Sequence, residues 1–184
     1  MSEINIVKRN GSKELLDLEK LHQVIFYACD DITGVSPSQV ELNSHISFYD
    51  GMTTTEIQET MIKAAADLIS EETPNYQLVA GRLISYHLRK EAYGQFDVPH
   101  LYDIVKDNIA NKMYDKSLTS WYSKEEFKQM NKWIDHKRDE NYTYAAMEQF
   151  RGKYLVQDRY TGKIYETPQI CLLYTSDAAD DRMR

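Results

Sequence analysis

The dipeptide Asn10-Gly11 restricts how this chain begins to fold more than any other feature of its sequence. Before it, Ile4, Ile6 and Lys8 alternate with residues that would lie on the opposite side of an extended strand. An Asn-Gly pair between two extended segments is the strongest short signal for a type I′ turn. The sequence therefore predicts a β-hairpin made of residues 4–9 and 12–16.

Three helical segments are predicted after the hairpin. Asp17 is a candidate N-cap, and apolar residues recur at helical spacing as far as Ile32, with Gly34 as the stop. Thr53 and Glu56 have the spacing of a capping box and predict that a second helix begins there. A third helix is expected over residues 76–93, and it ends before a glycine.

A third strand is predicted between the first two helices, because apolar and polar residues alternate over residues 40–48. Residues 1–95 then comprise a hairpin, a helix, a strand and two helices, and Pro99 marks a domain boundary. We expect this region to be an α+β domain that is mainly helical and folds independently.

The second half of the sequence predicts a different kind of region. Helices are expected over residues 101–113 and 144–150 and after a capping box at Ser123, and residues 154–159 and 163–166 form a second hairpin. Residues 96–170 are rich in Tyr and Trp without an obvious closed core, which is typical of the beginning of a larger, truncated domain. Residues 171–184 fit no preceding element and are interpreted as a translated sequencing adapter.

Several classes of protein are excluded by composition. The net charge of −7 does not indicate a general nucleic-acid-binding surface, and no apolar run has the roughly 20 residues of a membrane span. The amino terminus lacks a signal peptide, so a cytoplasmic protein without nucleic-acid or membrane partners is expected. No phosphate-binding glycine loop, metal-ligand spacing or catalytic constellation is present, and Cys29 and His87 are expected to be buried core residues.

A few basic residues stand out in an acidic region. Residues 1–99 contain 8 Lys and Arg against 15 Asp and Glu, yet Lys8, Lys20 and Lys90 are predicted near the hairpin or helix ends. Thr54 would lie at a helix N-terminus, which favours anions. These groups could converge on a phosphate chain; the alternative from spacing alone is a set of solvated charges on amphipathic elements.

Separated motifs give the chain a family resemblance. Residues 7–12 (VKRNGS), 18–21 (LEKL), 63–69 (KAAADLI), 80–83 (AGRL) and 93–96 (YGQF) resemble an ATP-cone. Residues 144–146 (YAA), 152–155 (GKYL) and 159–169 (RYTGKIYETPQ) resemble the large subunit of an aerobic class I ribonucleotide reductase of the enterobacterial type. The implied fold is a three-stranded sheet capping a helical bundle, followed by the truncated helical start of the reductase barrel.

The resemblance also implies an activity site for ATP or dATP with Mg²⁺. Its nucleotide-binding residues map onto Lys8, Glu14, Leu15, Leu16, Asp17, Leu18, Glu19, Lys20, Thr54 and Lys90. Its base pocket maps onto Val7, Leu21 and Ile57. One nearby position departs from the enterobacterial pattern, since Gln58 stands where that type has His.

The function implied by the resemblance is reduction of ribonucleoside diphosphates to deoxyribonucleotides for DNA synthesis, with ATP as activator and dATP as inhibitor. The implied partners are the small, radical-bearing beta subunit and further large chains. The radical and redox-active cysteines of the family lie outside this fragment, which is expected to hold no catalytic residue, metal or catalytic cofactor. Two alternatives are a stand-alone nucleotide-sensing module, which would normally carry a zinc ribbon, and a helical interaction domain without a ligand.

Overall fold

The computed structural model of the chain describes residues 4–181, with side chains as far as residue 174. Two compact units are present. The first comprises Met1–His87 and Asn141–Met147, and the second comprises Leu88–Glu140 and Glu148–Arg184. The domains that the sequence predicts, residues 1–95 and 96–170 with the boundary marked by Pro99, stay a prediction.

The elements up to residue 93 alternate between short strands and helices. They are β1 (Asn5–Val7), β2 (Lys13–Leu15), α1 (Leu18–Cys29), α2 (Pro37–His45), β3 (Met52–Thr53), α3 (Thr54–Ala66) and α4 (Tyr76–Tyr93). The strands form one sheet in the order β2-β1-β3. β1 is antiparallel to β2 and parallel to β3, with Val7 opposite Lys13 on one side and Thr53 on the other. The predicted mainly helical α+β fold with a three-stranded sheet is therefore confirmed.

The predicted hairpin is present, but its turn is of a different type. The Gly11 amide donates to the Lys8 carbonyl at 2.8 Å, and the Lys8 amide donates to the Ser12 carbonyl at 2.8 Å. Gly11 has a φ of 82°, whereas Asn10 is not among the described non-glycine residues with positive φ. A type I′ turn needs positive φ at both central positions, so that prediction is wrong. The connection is instead a type I turn followed by a left-handed glycine bulge.

The predicted strand over residues 40–48 is also wrong, because most of this segment belongs to α2. Pro37 occupies the start of that helix, where its fixed φ and missing N–H are favourable. Val40 and Ser44, four residues apart, are both fully buried, whereas Leu42 and Ile46 are 66% and 79% exposed. The burial follows the helical period, and the third strand is supplied by Met52–Thr53.

The other helices of this region agree more closely with the predictions. The α3 capping box is present, with the Glu56 amide donating to Thr53 Oγ1 at 3.2 Å and the Thr53 amide donating to Glu56 Oε2 at 2.7 Å. α4 has the predicted bounds. α1 ends at Cys29, earlier than expected, and Asp31 has a φ of 57° before the predicted stop at Gly34.

The core of the first unit is apolar. Its fully buried side chains come from every helix of the region, and they include Ile25, Val40, Met61, Leu83 and Ile84. Burial of such side chains stabilises a fold by about 1.5–3 kcal/mol each.

One large polar side chain is buried within the same core. The Tyr76 hydroxyl donates to Gln39 Oε1 at 2.6 Å and accepts from the Ser36 amide at 2.9 Å. These bonds satisfy the hydroxyl and tie α4 to the start of α2.

The chain after residue 94 is again mostly helical. Its elements are α5 (Leu101–Ala110), α6 (Leu118–Trp121), α7 (Lys124–Asn131), a 3₁₀ helix (His136–Asn141), α8 (Tyr144–Gln149), a π-helix (Phe150–Tyr154) and α9 (Pro168–Asp181). The capping box at Ser123 is confirmed, whereas α5 ends three residues before the predicted residue 113. The predicted second hairpin is present in a short form. It has one bridge, between Gln157 and Ile164, and the Asp158 amide donates to the Lys163 carbonyl at 2.9 Å and the Tyr165 amide to the Val156 carbonyl at 3.0 Å.

A small core does form in the second unit, contrary to the expectation from its sequence. It consists of Leu101, Ile104, Val105, Phe127 and Ile170, with several tyrosines packed around it. The sequence pattern obscured this core because its members come from three separate helices.

The proposed adapter segment, residues 171–184, is described in part. α9 continues through residue 181, and residues 182–184 lie outside the described part of the chain. The adapter origin of this segment stays a prediction.

Candidate functional site

Two residues that are 46 positions apart in the sequence lie side by side in the sheet. Val7 and Thr53 are partners in the parallel β1–β3 pair, and each ends its strand. The residues that follow them, Lys8 and Thr54, therefore leave the sheet at the same end. Thr54 is also the first residue of α3, so a lysine and a helix N-terminus lie at one end of this small sheet.

Lys8 forms an ion pair across the hairpin. Its Nζ lies 2.5 Å from Glu14 Oε2, and the two side chains are 42% and 37% exposed. Ion pairs at this level of exposure typically contribute only about 0–1 kcal/mol. An anionic ligand can therefore replace Glu14 as the partner of Lys8 at small cost.

The connection from β2 to α1 supplies a second cation. The Lys20 amide donates to Asp17 Oδ1 at 3.2 Å, and Lys20 Nζ lies 3.2 Å from Asp17 Oδ2. These contacts hold the pKa of the Asp17 carboxyl below its usual range. Asp17 thus acts as the N-cap of α1 and directs Lys20 back toward the start of its own helix.

The remaining predicted residues of this connection lie along an exposed surface. Leu15 and Leu18 are 52% and 46% exposed, and Glu19 is exposed as well. Leu16 is partly buried, and its amide donates to the Ile4 carbonyl at 2.8 Å. The backbone here is fixed by the sheet while its outer side stays open to a ligand.

The N-terminus of α3 already holds one negative group. Glu56 Oε2 accepts from the Thr53 amide and hydroxyl, both at 2.7 Å, and Glu56 Oε1 accepts from the Tyr49 hydroxyl at 3.1 Å. These bonds lower the pKa of the Glu56 carboxyl. The sequence identified the capping box but not Tyr49, because nothing in the spacing of Tyr49 points to this contact.

The three predicted base-pocket residues differ in exposure. Val7 is partly buried, whereas Leu21 and Ile57 are only 8% and 2% exposed. Leu21 and Ile57 belong to the core and could offer a ligand only their edges. Gln58, the departure from the enterobacterial pattern, has a buried Oε1 that makes no hydrogen bond to the described residues.

Lys90 lies in the last turn of α4 and is partly buried. That turn belongs to the second unit, whereas Lys8, Lys20 and Thr54 belong to the first. The participation of Lys90 in the same site stays a prediction.

Three further observations on residues 4–181 concern metal ligands, two core residues and membrane-spanning helices. No group of three or more His, Cys, Asp and Glu side chains there could hold a metal ion. His87 is 3% exposed, and burial raises the pKa of the Cys29 thiol to about 11, as expected for core residues. No helix in this range has the length and apolar character needed to cross a bilayer.

An open depression of about 380 Å³ lies along one side of α1. It is lined by His22, Gln23, Phe26, Tyr27 and Asp30. It shares no residue with the predicted nucleotide site, and the two surfaces can therefore be distinguished by experiment.

Comparisons with known proteins agree with this geometry. Residues 4–91 match the model of the ATP cone domain. The chain is 52% identical over 171 residues to the ribonucleoside-diphosphate reductase subunit alpha of Haemophilus influenzae, covering 93% of this chain and 23% of that relative. It is 54% identical over 164 residues to the ribonucleoside-diphosphate reductase 1 subunit alpha of Escherichia coli K12, covering 89% of this chain and 22% of the relative.

A viral relative extends this similarity. The chain is 41% identical over 175 residues to the ribonucleoside-diphosphate reductase subunit alpha of Enterobacteria phage T4, covering 94% of this chain and 23% of that protein. The chain thus spans between a fifth and a quarter of the length of these relatives. Residues 4–91 are an ATP-cone domain, and the chain belongs with the amino-terminal part of the ribonucleoside-diphosphate reductase alpha subunits.

Proposed function

We propose that this chain carries the adenine-nucleotide activity site of a ribonucleoside-diphosphate reductase. ATP bound at the ATP cone would activate the full-length enzyme, and dATP would inhibit it. The observation that supports this most strongly is the β1–β3 register, in which Lys8 and Thr54 follow paired residues within an ATP-cone domain.

The phosphates would be held by Lys8, Lys20 and Lys90, with the Thr54 hydroxyl or amide as a further contact. Lys8 and Lys20 have carboxylate partners, Glu14 and Asp17, that are 37% and 43% exposed, so these lysines can change partner without uncovering a buried charge. Mg²⁺ would accompany the nucleotide, because the chain has a net charge of −7 and would otherwise repel a triphosphate. The connection of residues 14–20 would run along the nucleotide.

The base would contact Val7 and the edges of Leu21 and Ile57. Discrimination between ATP and dATP depends on one ribose hydroxyl and therefore requires polar contacts coupled to conformational states. The buried acceptor of Gln58, next to Ile57 on α3, fits such a polar role.

Reduction of ribonucleoside diphosphates would take place in the part of the protein beyond this fragment. The small beta subunit and other large chains are the proposed partners, and the proposed compartment is the cytoplasm. A stand-alone nucleotide sensor is the alternative function. It is less well supported, because similarity to the reductase subunits covers 171 residues whereas the ATP cone ends at residue 91.

Calorimetric titration of the chain with ATP, dATP and GTP, with and without Mg²⁺, tests the proposal. Charge-assisted contacts contribute about 1.5–3 kcal/mol, so Lys8→Ala and Lys90→Ala should each weaken ATP binding about 10- to 150-fold. Lys63→Ala is the matched control, because Lys63 is exposed in the last turn of α3, at the opposite end from Thr54.

Unchanged affinity in both Lys8→Ala and Lys90→Ala would contradict the proposed phosphate contacts. Equal affinity for GTP and ATP would contradict base recognition by Val7, Leu21 and Ile57. In that case the family membership would stand, but an adenine-sensing role for this chain would not.

A further inference from the structure

A buried carboxyl group in the second unit lacks a regular hydrogen-bond partner. Asp139 lies in the 3₁₀ helix and is completely buried. Neither of its oxygens makes a well-formed hydrogen bond to the described residues, although the Gln169 side chain is close enough to affect its ionisation. An ionised carboxylate in such a position is strongly unfavourable unless a cation or several donors reach it.

The cation whose charge acts on this carboxyl is Arg89, just before the last turn of α4. Arg89 is 6% exposed, its Nη2 donates to the His136 carbonyl at 2.8 Å, and its guanidinium carbon lies 5.0 Å from the Phe96 ring centroid. Its Nε has no acceptor among the described residues. The Nε–H of Arg89 is therefore available to donate to an anion.

The charges around Asp139 divide into two groups. Burial raises the pKa of the Asp139 carboxyl to about 7, and Glu140 and Asp135 act in the same direction. Gln169 and Arg89 oppose this rise. Burial raises the pKa of the Tyr93 hydroxyl, one turn after Arg89 on α4, and the charges of Glu166 and, to a smaller extent, Asp139 add to this rise.

The imidazole of His136 does not compete for the proton. Burial and the charge of Arg89 lower the pKa of His136 to about 4. His136 is therefore neutral over the range in which Asp139 titrates, and its carbonyl remains the acceptor for Arg89.

We propose that Arg89 and Asp139 form a proton-controlled latch between the C-terminal part of α4 and the 3₁₀ helix. When Asp139 is protonated, Arg89 binds the His136 carbonyl and the carboxyl group is neutral. When the proton leaves to solvent, the Asp139 carboxylate takes Arg89 as its ion-pair partner through the available Nε–H. This latch lies within the second unit and does not depend on the proposed nucleotide site.

Nuclear magnetic resonance of the whole chain tests the latch directly. The carboxyl carbon of Asp139 and the Nε of Arg89 are followed from pH 3 to 8.5. The carboxyl should titrate near pH 7, about three pH units above the ordinary value of 3.8, and the Arg89 Nε resonance should change with the same midpoint. A carboxyl midpoint near 4, or an Arg89 resonance that does not follow Asp139, would overturn the proposal.

Two variants separate the latch from a general pH effect. In Asp139→Asn the Arg89 Nε resonance should no longer change between pH 5 and 8.5. In Asp135→Asn, which alters an exposed carboxylate just before the same 3₁₀ helix, both titrations should persist. A pH-dependent Arg89 resonance that survives in Asp139→Asn would contradict the latch, and the titration of the unaltered chain decides the question even if a variant fails to fold.

Discussion

The two units of this chain bury different kinds of side chain. Among the described residues, the buried polar groups of the first unit are Ser44, Ser85, His87 and the hydrogen-bonded hydroxyl of Tyr76. In the second unit they are Arg89, Asn108, Asp139, Glu166, Thr167 and Gln169. The first unit is therefore stabilised mainly by apolar packing, whereas the second contains buried charges whose cost must be offset by specific partners.

Glu166 illustrates how such a charge is accommodated. Its carboxylate accepts hydrogen bonds from the Tyr114 hydroxyl, from the Tyr174 hydroxyl at 2.6 Å and from the Val156 amide at 2.9 Å. Burial nevertheless raises the pKa of this carboxyl. In addition to its apolar core, the second unit is therefore stabilised by polar contacts between residues that are distant in the sequence, and a hydrophobic pattern does not reveal such contacts.

The largest effect is expected for Gly81→Ala in the first unit. A Cβ at position 81 would lie 2.0 Å from the Tyr142 carbonyl oxygen, and a backbone atom cannot move away cheaply. Overpacking of this kind should lower the free energy of unfolding by about 3 kcal/mol, measured by chemical denaturation. Gly152→Ala is the control, because no atom of the described residues outside its immediate chain neighbours and local helix backbone lies within 4 Å of the added Cβ. Equal stability of the two variants would refute the close approach.

The next largest effect is expected in the second unit, where Asp139→Asn should change how the free energy of unfolding depends on pH. In the unaltered chain the folded Asp139 carboxyl keeps its proton up to about pH 7, whereas the unfolded one loses it near 3.8. The stabilising effect of this difference is lost as pH rises through that window, so the variant should gain about 2 kcal/mol relative to the unaltered chain between pH 5.5 and 8.

Glu56→Gln supplies the contrast from the first unit. The pKa of Glu56 is lowered by its hydrogen bonds, so this carboxylate is ionised throughout that pH range in both states. The effect of Glu56→Gln on stability should be the same at pH 5.5 and pH 8. A similar pH dependence for both variants would remove the distinction between the units.

A somewhat smaller loss is expected for Tyr114→Phe in the second unit. This change removes a hydroxyl donor from the buried Glu166 carboxylate, and such bonds contribute about 1.5–3 kcal/mol. Tyr122→Phe is the matched control, since Tyr122 packs edge-on against Phe127 with its ring. The unfolding midpoint of Tyr114→Phe should be lower than that of Tyr122→Phe. If the two midpoints coincide, the hydrogen bond from Tyr114 to Glu166 contributes little to the stability of the second unit.

The smallest effect is expected at the start of α3. Thr53→Ala removes the capping hydroxyl and should cost about 1 kcal/mol of stability. The neighbouring Thr55→Ala leaves the cap intact and should be nearly neutral, as judged by thermal unfolding. If the two changes are equivalent, the capping box is not what positions the helix N-terminus beside Lys8.

The comparison between the units also explains what could be predicted from the sequence. Capping boxes are local, so Thr53 and Ser123 identified the starts of α3 and α7 correctly. The apolar spacing of α4 and the glycine after it likewise predicted the bounds of this helix correctly. The strand predicted over residues 40–48 was wrong because apolar and polar residues alternate there. Packing against neighbouring helices stabilises α2 instead.

Long-range pairing was beyond the reach of local patterns. Nothing in the sequence links Val7 to Thr53, or Asn108 Nδ2 to the Tyr165 carbonyl that accepts from it at 3.0 Å. The family resemblance supplied the site residues, and the sheet register adds a physical reason why Lys8 and Thr54 belong together. The buried Arg89 and Asp139 had no signal in the sequence, since isolated charges on amphipathic segments are usually solvated.

The central claim is that a nucleotide binds at the end of the sheet where the parallel strands β1 and β3 finish. The most direct test is to record backbone amide resonances of the chain during titration with Mg²⁺–ATP. The largest shifts should fall on residues 7–8, 14–20 and 53–54 and on Lys90, with little change in the α1 depression around Phe26 or in α7. Shifts confined to that depression, or none at saturating ATP, would contradict the account.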